Sequence, residues 1–239
     1  MREIYLAAWD FVSWHWLTLA CCAVLLEMLP LLLPSGNHAA SSGGAVVATM
    51  VGYAMHRYFL FGESWAAWRT TGAGGRKSAA RRFAVALAIM FVSVVGIVGV
   101  VCVKMASGGV GKDQMFGVAV VVGLPVYFLL LVIFGTALPA AAAGDRFGPW
   151  ITLRRAGRTA PGIAGGLLAG PVLFSILIVV VSVFLGQRAG TMGGGIIAAT
   201  SLAVCIRMLG FFTTALAVAV LCRAYLKVAP PGIIDQTPA

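Results

Sequence analysis

Six times along this chain, 18 or more residues pass with no more than one charged side chain among them. The runs cover residues 11–33, 44–61, 83–103, 116–138, 162–185 and 196–222. A helix crossing a bilayer needs roughly 20 apolar residues. A strand of a membrane barrel is only about 10 residues long and alternates in character. Continuous apolar runs of this length therefore predict helices, which satisfy every backbone N–H and C=O within one segment. The expected fold is all-α: a polytopic bundle of six transmembrane helices forming a single domain over residues 1–239.

Composition agrees. Hydrophobic residues make up 61% of the chain and charged residues 10%, against about 25% charged in a soluble domain. Such a chain has too few polar groups to cover a water-facing surface, so most of its solvent is lipid. The net charge of +10 does not indicate nucleic acid, because the cations are spread over connections between apolar runs. That is the arrangement of a protein meeting anionic headgroups. Glu3 and Asp10 stand where a signal peptide would be basic, so the first run is expected to remain as a membrane helix.

Lysine and arginine orient the bundle. Arg69, Arg76, Lys77, Arg81 and Arg82 lie between the second and third runs, and Arg146, Arg154, Arg155 and Arg158 between the fourth and fifth. With Arg2, Arg223 and Lys227 at the ends, twelve cations fall on one side. Lys104, Lys112 and Arg188 alone fall on the other. By the positive-inside rule, both termini are cytoplasmic. Trp9, Trp14, Trp16, Trp65, Trp68 and Trp150, all six tryptophans, fall on that same side.

The two basic connections share a pattern. One reads Glu63-Ser-Trp-Ala-Ala-Trp-Arg69, the other Trp150-Ile-Thr-Leu-Arg-Arg155 after Pro149. Pro149 suits the first turn of a helix. Trp150 and Leu153 share one face, with Arg154, Arg155 and Arg158 set off from it. Both connections are read as short cytoplasmic amphipathic helices lying in the interface. Trp65, Trp68, Trp150, Arg154, Arg155 and Arg158 are the expected headgroup contacts, with membrane lipids the expected partners.

The segment Leu138-Pro-Ala-Ala-Ala-Ala-Gly-Asp145, followed by Trp150 to Arg155, resembles the uncharacterised bacterial six-helix proteins of the YciC-like and glycerophosphodiesterase-membrane-domain group. His56-Arg-Tyr-Phe-Leu-Phe-Gly-Glu63 is similar to a feature of such proteins. The resemblance spans about half the chain. It implies six helices in a bacterial inner membrane and carries over no activity and no cofactor.

Polar residues inside the runs are the remaining candidates. An ionisable group in a span costs roughly 3 kcal/mol on insertion scales, so each is kept for a reason. Arg207 continues a small-residue stripe through Gly195, Ala199 and Ala203, and Glu27 lies on a stripe with Ala20 and Ala23. Their depths permit an ion pair between the first and sixth helices. It would serve either as a structural lock or as part of a transport path. His15 and His56 lie at similar depths and, on one narrow reading, would be axial ligands of a b-type haem. Gly162, Gly166 and Gly170, and likewise Gly44, Ala48 and Gly52, read as tight helix contacts. Pro125 and Pro171 are expected to kink their helices.

Little else carries chemistry. Cys21, Cys22, Cys102, Cys205 and Cys222 form neither a CxxC nor a metal-ligand spacing with histidine, so no metal site is expected. Seven acids and three histidines leave little material for acid–base catalysis. The reading favoured is a non-enzymatic accessory or scaffold protein acting through helix faces and interfacial contacts, with other membrane subunits as partners. A small transporter or channel using Glu27 and Arg207 is the alternative. A lipid-binding or lipid-modifying protein is the third; its enzymatic form would have to use His15, His56, Asp10, Glu63 or Asp145.

Overall fold

The computed structural model describes residues 2–32, 38–63, 73–108, 112–191 and 196–234. Among them every regular element is helical. In chain order they are α1 (Arg2–Leu32), α2 (His38–Phe61), α3 (Ala73–Ser107), α4 (Lys112–Phe134), α5 (Ala137–Ala143), α6 (Pro149–Leu167), α7 (Leu173–Thr191), α8 (Ile196–Leu226) and α9 (Pro231–Ile234). A π-helical turn, Leu168–Val172, joins α6 to α7.

Among the described residues four stretches are long and apolar enough to cross a membrane: Arg2–Glu27, Ser78–Ser107, Pro149–Ser182 and Thr200–Leu226. The pair Val121–Phe134 and Ala137–Ala143, bent by 52°, is a fifth if it counts as one broken span. The expected span 44–61 lies within α2 and is not one of these.

Two boundaries differ from the sequence expectation, each for a local reason. The fourth run was expected to end at Pro139. Instead the helix breaks at Gly135–Thr136, and Pro139 sits in the first turn of α5. There its missing N–H would have had no helical acceptor, so proline is tolerated. The 52° bend lies at Gly135–Thr136, and Pro125 stays inside α4. Helix α5 closes through Gly144, whose φ of +78° suits a residue without Cβ. Gly144 N–H donates to Ala141 O and Asp145 N–H to Ala140 O, a Schellman ending.

The second difference concerns the interfacial helix expected before the fifth span. It is not a separate element. Residues 149–191 form one helical course, with Pro161 inside α6 and Pro171 inside the π turn. Proline removes a donor, so a carbonyl one turn earlier is left free. The wider π turn absorbs Pro171; within that turn the Tyr5 hydroxyl donates separately to Ala169 O at 2.9 Å. The other interfacial helix, with Trp65 and Trp68, lies outside the described residues.

The chain divides into two compact units. The first joins Met1–Thr71 to Ala164–Arg223. On α1 its core is the stripe Ile4, Ala8, Phe11, His15, Leu19 and Ala23, spaced three or four residues apart so that one helix face is inside. Phe11 stacks on His15 and meets Tyr58 of α2 edge-on, at ring centroid distances of 4.6 and 4.9 Å. Gly166 sits directly against Val220 of α8. Trp9, Trp14 and Trp16 are exposed on the other faces of α1.

The second unit joins Gly72–Ile163 to Ala224–Gln236. Helix α3 packs on α4 and α5 through the buried stripe Ala79, Phe83, Ala86 and Met90. Helix α5 is buried from Ala137 to Ala142. Small side chains allow close approach where no hydrophobic force separates protein from lipid.

Candidate functional site

The most organised polar cluster among the described residues lies in the second unit, at the turn between α5 and α6. The Schellman ending aims Asp145 into this turn. Arg155 Nη2 donates to Asp145 Oδ2 at 2.7 Å, and the Tyr225 hydroxyl donates to the same oxygen at 3.0 Å. The Arg146 N–H donates to Oδ1 at 2.6 Å. The Arg155 guanidinium also lies 5.4 Å from the centre of the Tyr225 ring, and Arg82 Nη1 donates to Gly144 O at 2.9 Å. Asp145 and Arg155 are each 13% exposed, and Tyr225 is fully buried. One carboxylate thus ties α6 to the chain just after α8 enters this unit.

This tie decides what α6 shows to its surroundings. Thr152, Ala156, Thr159 and Ile163 form its buried face. Both threonine hydroxyls are spent on the preceding turn, Thr152 on Gly148 O at 2.9 Å and Thr159 on Arg155 O at 3.0 Å. Trp150, 82% exposed, lies on the open face with Ile151, Leu153, Arg154 and Arg158. Arg155, expected with Arg154 and Arg158 at the headgroups, is turned inward instead. Its charge meets Asp145, a residue ten positions earlier that helical spacing cannot pair with it. Arg81, Arg82, Arg146 and Lys227 are exposed in the same unit. Trp65 and Trp68 lie outside the described residues.

The first unit holds the remaining candidates. Arg207 donates to Glu27 Oε1 from Nε at 2.9 Å and from Nη2 at 2.7 Å. The structure thus brings together the two ionisable residues nominated for pairing in α1 and α8. Arg57 pairs with Glu63 through two hydrogen bonds, Nε to Oε2 at 3.0 Å and Nη2 to Oε1, while its guanidinium lies over the Phe61 ring at 4.2 Å. Glu3 and Arg223 form a more exposed pair at 2.9 Å.

His15 and His56 each engage the preceding helical turn. His15 Nδ1 lies 2.9 Å from Phe11 O, and His56 Nδ1 lies 2.7 Å from Gly52 O. Phe11 covers one face of the His15 ring, and Tyr58 approaches edge-on at 5.5 Å. Axial ligation would use Nε2 of each ring and leave these Nδ1 contacts in place, so the haem reading is decided by spectroscopy. Purified protein is expected to show no Soret band; a Soret band that survives extensive washing would reverse that expectation. No group of three or more His, Cys, Asp or Glu able to hold a metal ion occurs among the described residues.

Sequence reading missed the Asp145–Arg155–Tyr225 cluster and the Arg57–Glu63 pair. Asp145 and Tyr225 are 80 positions apart, and nothing local links them. Arg57 and Glu63 are six apart, beyond helical pairing distance, and meet only because the chain turns at Gly62, whose φ is +65°. Compared with protein-family models, curated proteins and solved structures, the chain finds no match.

Proposed function

We propose that this chain is a non-enzymatic, multi-pass membrane accessory protein that holds a basic, tryptophan-bearing helix against the anionic cytoplasmic face of the membrane. The observation that carries the reading is the open face of α6. Trp150, Ile151 and Leu153 are exposed beside Arg154 and Arg158, while Arg155 is withdrawn to fix the helix. An apolar ring, aliphatic side chains and flanking guanidinium groups are the composition of an interfacial anchor. The polar residues that could serve acid–base work are engaged elsewhere: Asp145 with Arg155 and Tyr225, Glu63 with Arg57.

In this reading the chain has six spans, with the run 44–61 as the sixth, and both termini are cytoplasmic. The twelve-to-three distribution of cations supports that orientation. The resemblance of residues 138–155 to bacterial six-helix proteins supports an inner-membrane location.

The test is lipid selectivity after reconstitution. In nanodiscs of mixed phosphatidylglycerol and phosphatidylcholine, the wild-type protein should enrich phosphatidylglycerol around itself. Each surface cation contributes about 1 kcal/mol, so replacing both Arg154 and Arg158 by Gln should lower that preference by at least about tenfold. Equal lipid composition around wild type and variant would defeat the proposal.

A further inference from the structure

The Glu27–Arg207 pair is incomplete in a particular way. Both donated hydrogen bonds go to a single carboxylate oxygen, Oε1. Glu27 Oε2 accepts nothing and Arg207 Nη1 donates nothing among the described residues. The Arg207 side chain is 48% exposed and that of Glu27 23%. Glu27 is followed in α1 by Met28, Leu29, Pro30, Leu31 and Leu32, and Arg207 lies eleven residues into α8, so apolar sequence flanks both. Ionisable groups in such positions almost always find partners, because lipid supplies none.

Among the described residues, the surface of α8 beside the pair is open. Arg207, Gly210 and Thr214 follow one another at helical spacing on α8. A Cβ added at Gly210 would meet nothing within 4 Å. Thr214 is exposed, and its hydroxyl is already bonded to Gly210 O at 2.9 Å. A glycine with empty space before it lets another helix come close.

We propose that a second copy of this chain docks on this face, its Glu27 meeting Arg207 across a twofold axis while its own Arg207 meets Glu27. Charge complementarity selects a copy over other partners. The pair is neutral as a whole and, among the described residues, leaves one acceptor and one donor open. A partner bringing net charge to this depth would leave that charge uncompensated in lipid. A copy brings one donor and one acceptor of the matching kind. In a twofold interface residue i meets j and j meets i, so the two open positions fill each other. The result is a ring of four alternating charges. This inference does not depend on the lipid-headgroup reading of α6.

The experiment is energy transfer between donor- and acceptor-labelled full-length protein in lipid vesicles, titrated by protein-to-lipid ratio. Wild type should self-associate with twofold stoichiometry. Glu27→Gln and Arg207→Gln should each weaken association by about tenfold, the loss of one or two intramembrane hydrogen bonds. The exchange of both charges, Glu27→Arg with Arg207→Glu, should restore it to within about threefold of wild type, since the ring is rebuilt. Gly210→Leu keeps both charges and, with open space at that position, should fold normally yet block the close approach. A monomeric wild type would overturn the proposal, because a pair bordering a water-filled path needs no second copy. So would wild-type association of the two Gln variants or of Gly210→Leu.

Discussion

Replacing Asp145 by Ala should be among the most destabilising single changes in the chain. The side chain is the shared acceptor for Arg155, Tyr225 and the Arg146 N–H. Its removal leaves the Arg155 guanidinium, 13% exposed, without its counter-charge. Breaking a buried ion pair by removing one partner typically costs about 3–5 kcal/mol, because the remaining charge stays desolvated. The partial exposure of this pair argues for the lower end of that range. Tyr225→Phe deletes one hydrogen bond to a charged acceptor and should cost about 1.5 kcal/mol. Arg155→Met with Asp145→Ala removes both charges while keeping the aliphatic length, and should recover most of the loss. Reversible unfolding in mild detergent measures all four proteins. A loss of under about 1 kcal/mol for Asp145→Ala would show that the cluster does not hold α6 in place. The same variant should also weaken the lipid selectivity proposed for α6, since an unfixed helix no longer presents Trp150, Arg154 and Arg158 together.

Gly166→Leu is expected to damage the first unit by a different mechanism. An ideal Cβ at Gly166 would lie 2.8 Å from Val220 Cγ1 and 3.2 Å from Cγ2. The shorter distance is well inside contact, so the Val220 side chain, the helix carrying Gly166 or α8 must shift. Overpacking a filled contact costs about 1–3 kcal/mol, and leucine lies at the upper end because its branches follow the clashing Cβ. Gly166→Ala should cost less, and Val220→Ala should relieve it in the double variant. Gly157, Gly162 and Gly165 on the same helix are controls, since nothing lies within 4 Å of their Cβ positions. Alanine there should be neutral or stabilising by up to about 1 kcal/mol, as glycine is the poorer helix former. Equal effects at Gly166 and Gly162 would show that the contact with Val220 does not restrict the helix.

The glycines illustrate how far local pattern reaches. The spacing of Gly162, Gly166 and Gly170 proposes a tight face. Only packing shows that Gly166 meets a neighbour and Gly162 does not. Pro139 is similar. As a local signal it reads as a helix end, but a break three residues earlier turns it into a first-turn residue of α5.

Sequence alone determined the helical class and most of the stretches long and apolar enough to cross a membrane. The physical reason is that lipid offers no hydrogen bonds, so each segment must satisfy its own backbone, and continuous apolarity then dictates both helix and length. It also nominated Glu27 and Arg207, because an isolated charge in an apolar run is too costly to be incidental. Tertiary structure decided what those charges and their neighbours do. That both donors of Arg207 use one oxygen of Glu27, that Arg155 turns from the headgroups to Asp145, and that Tyr225 joins them are matters of contact between distant positions. Helical periodicity states which residues share a face, and it is silent on what that face will meet.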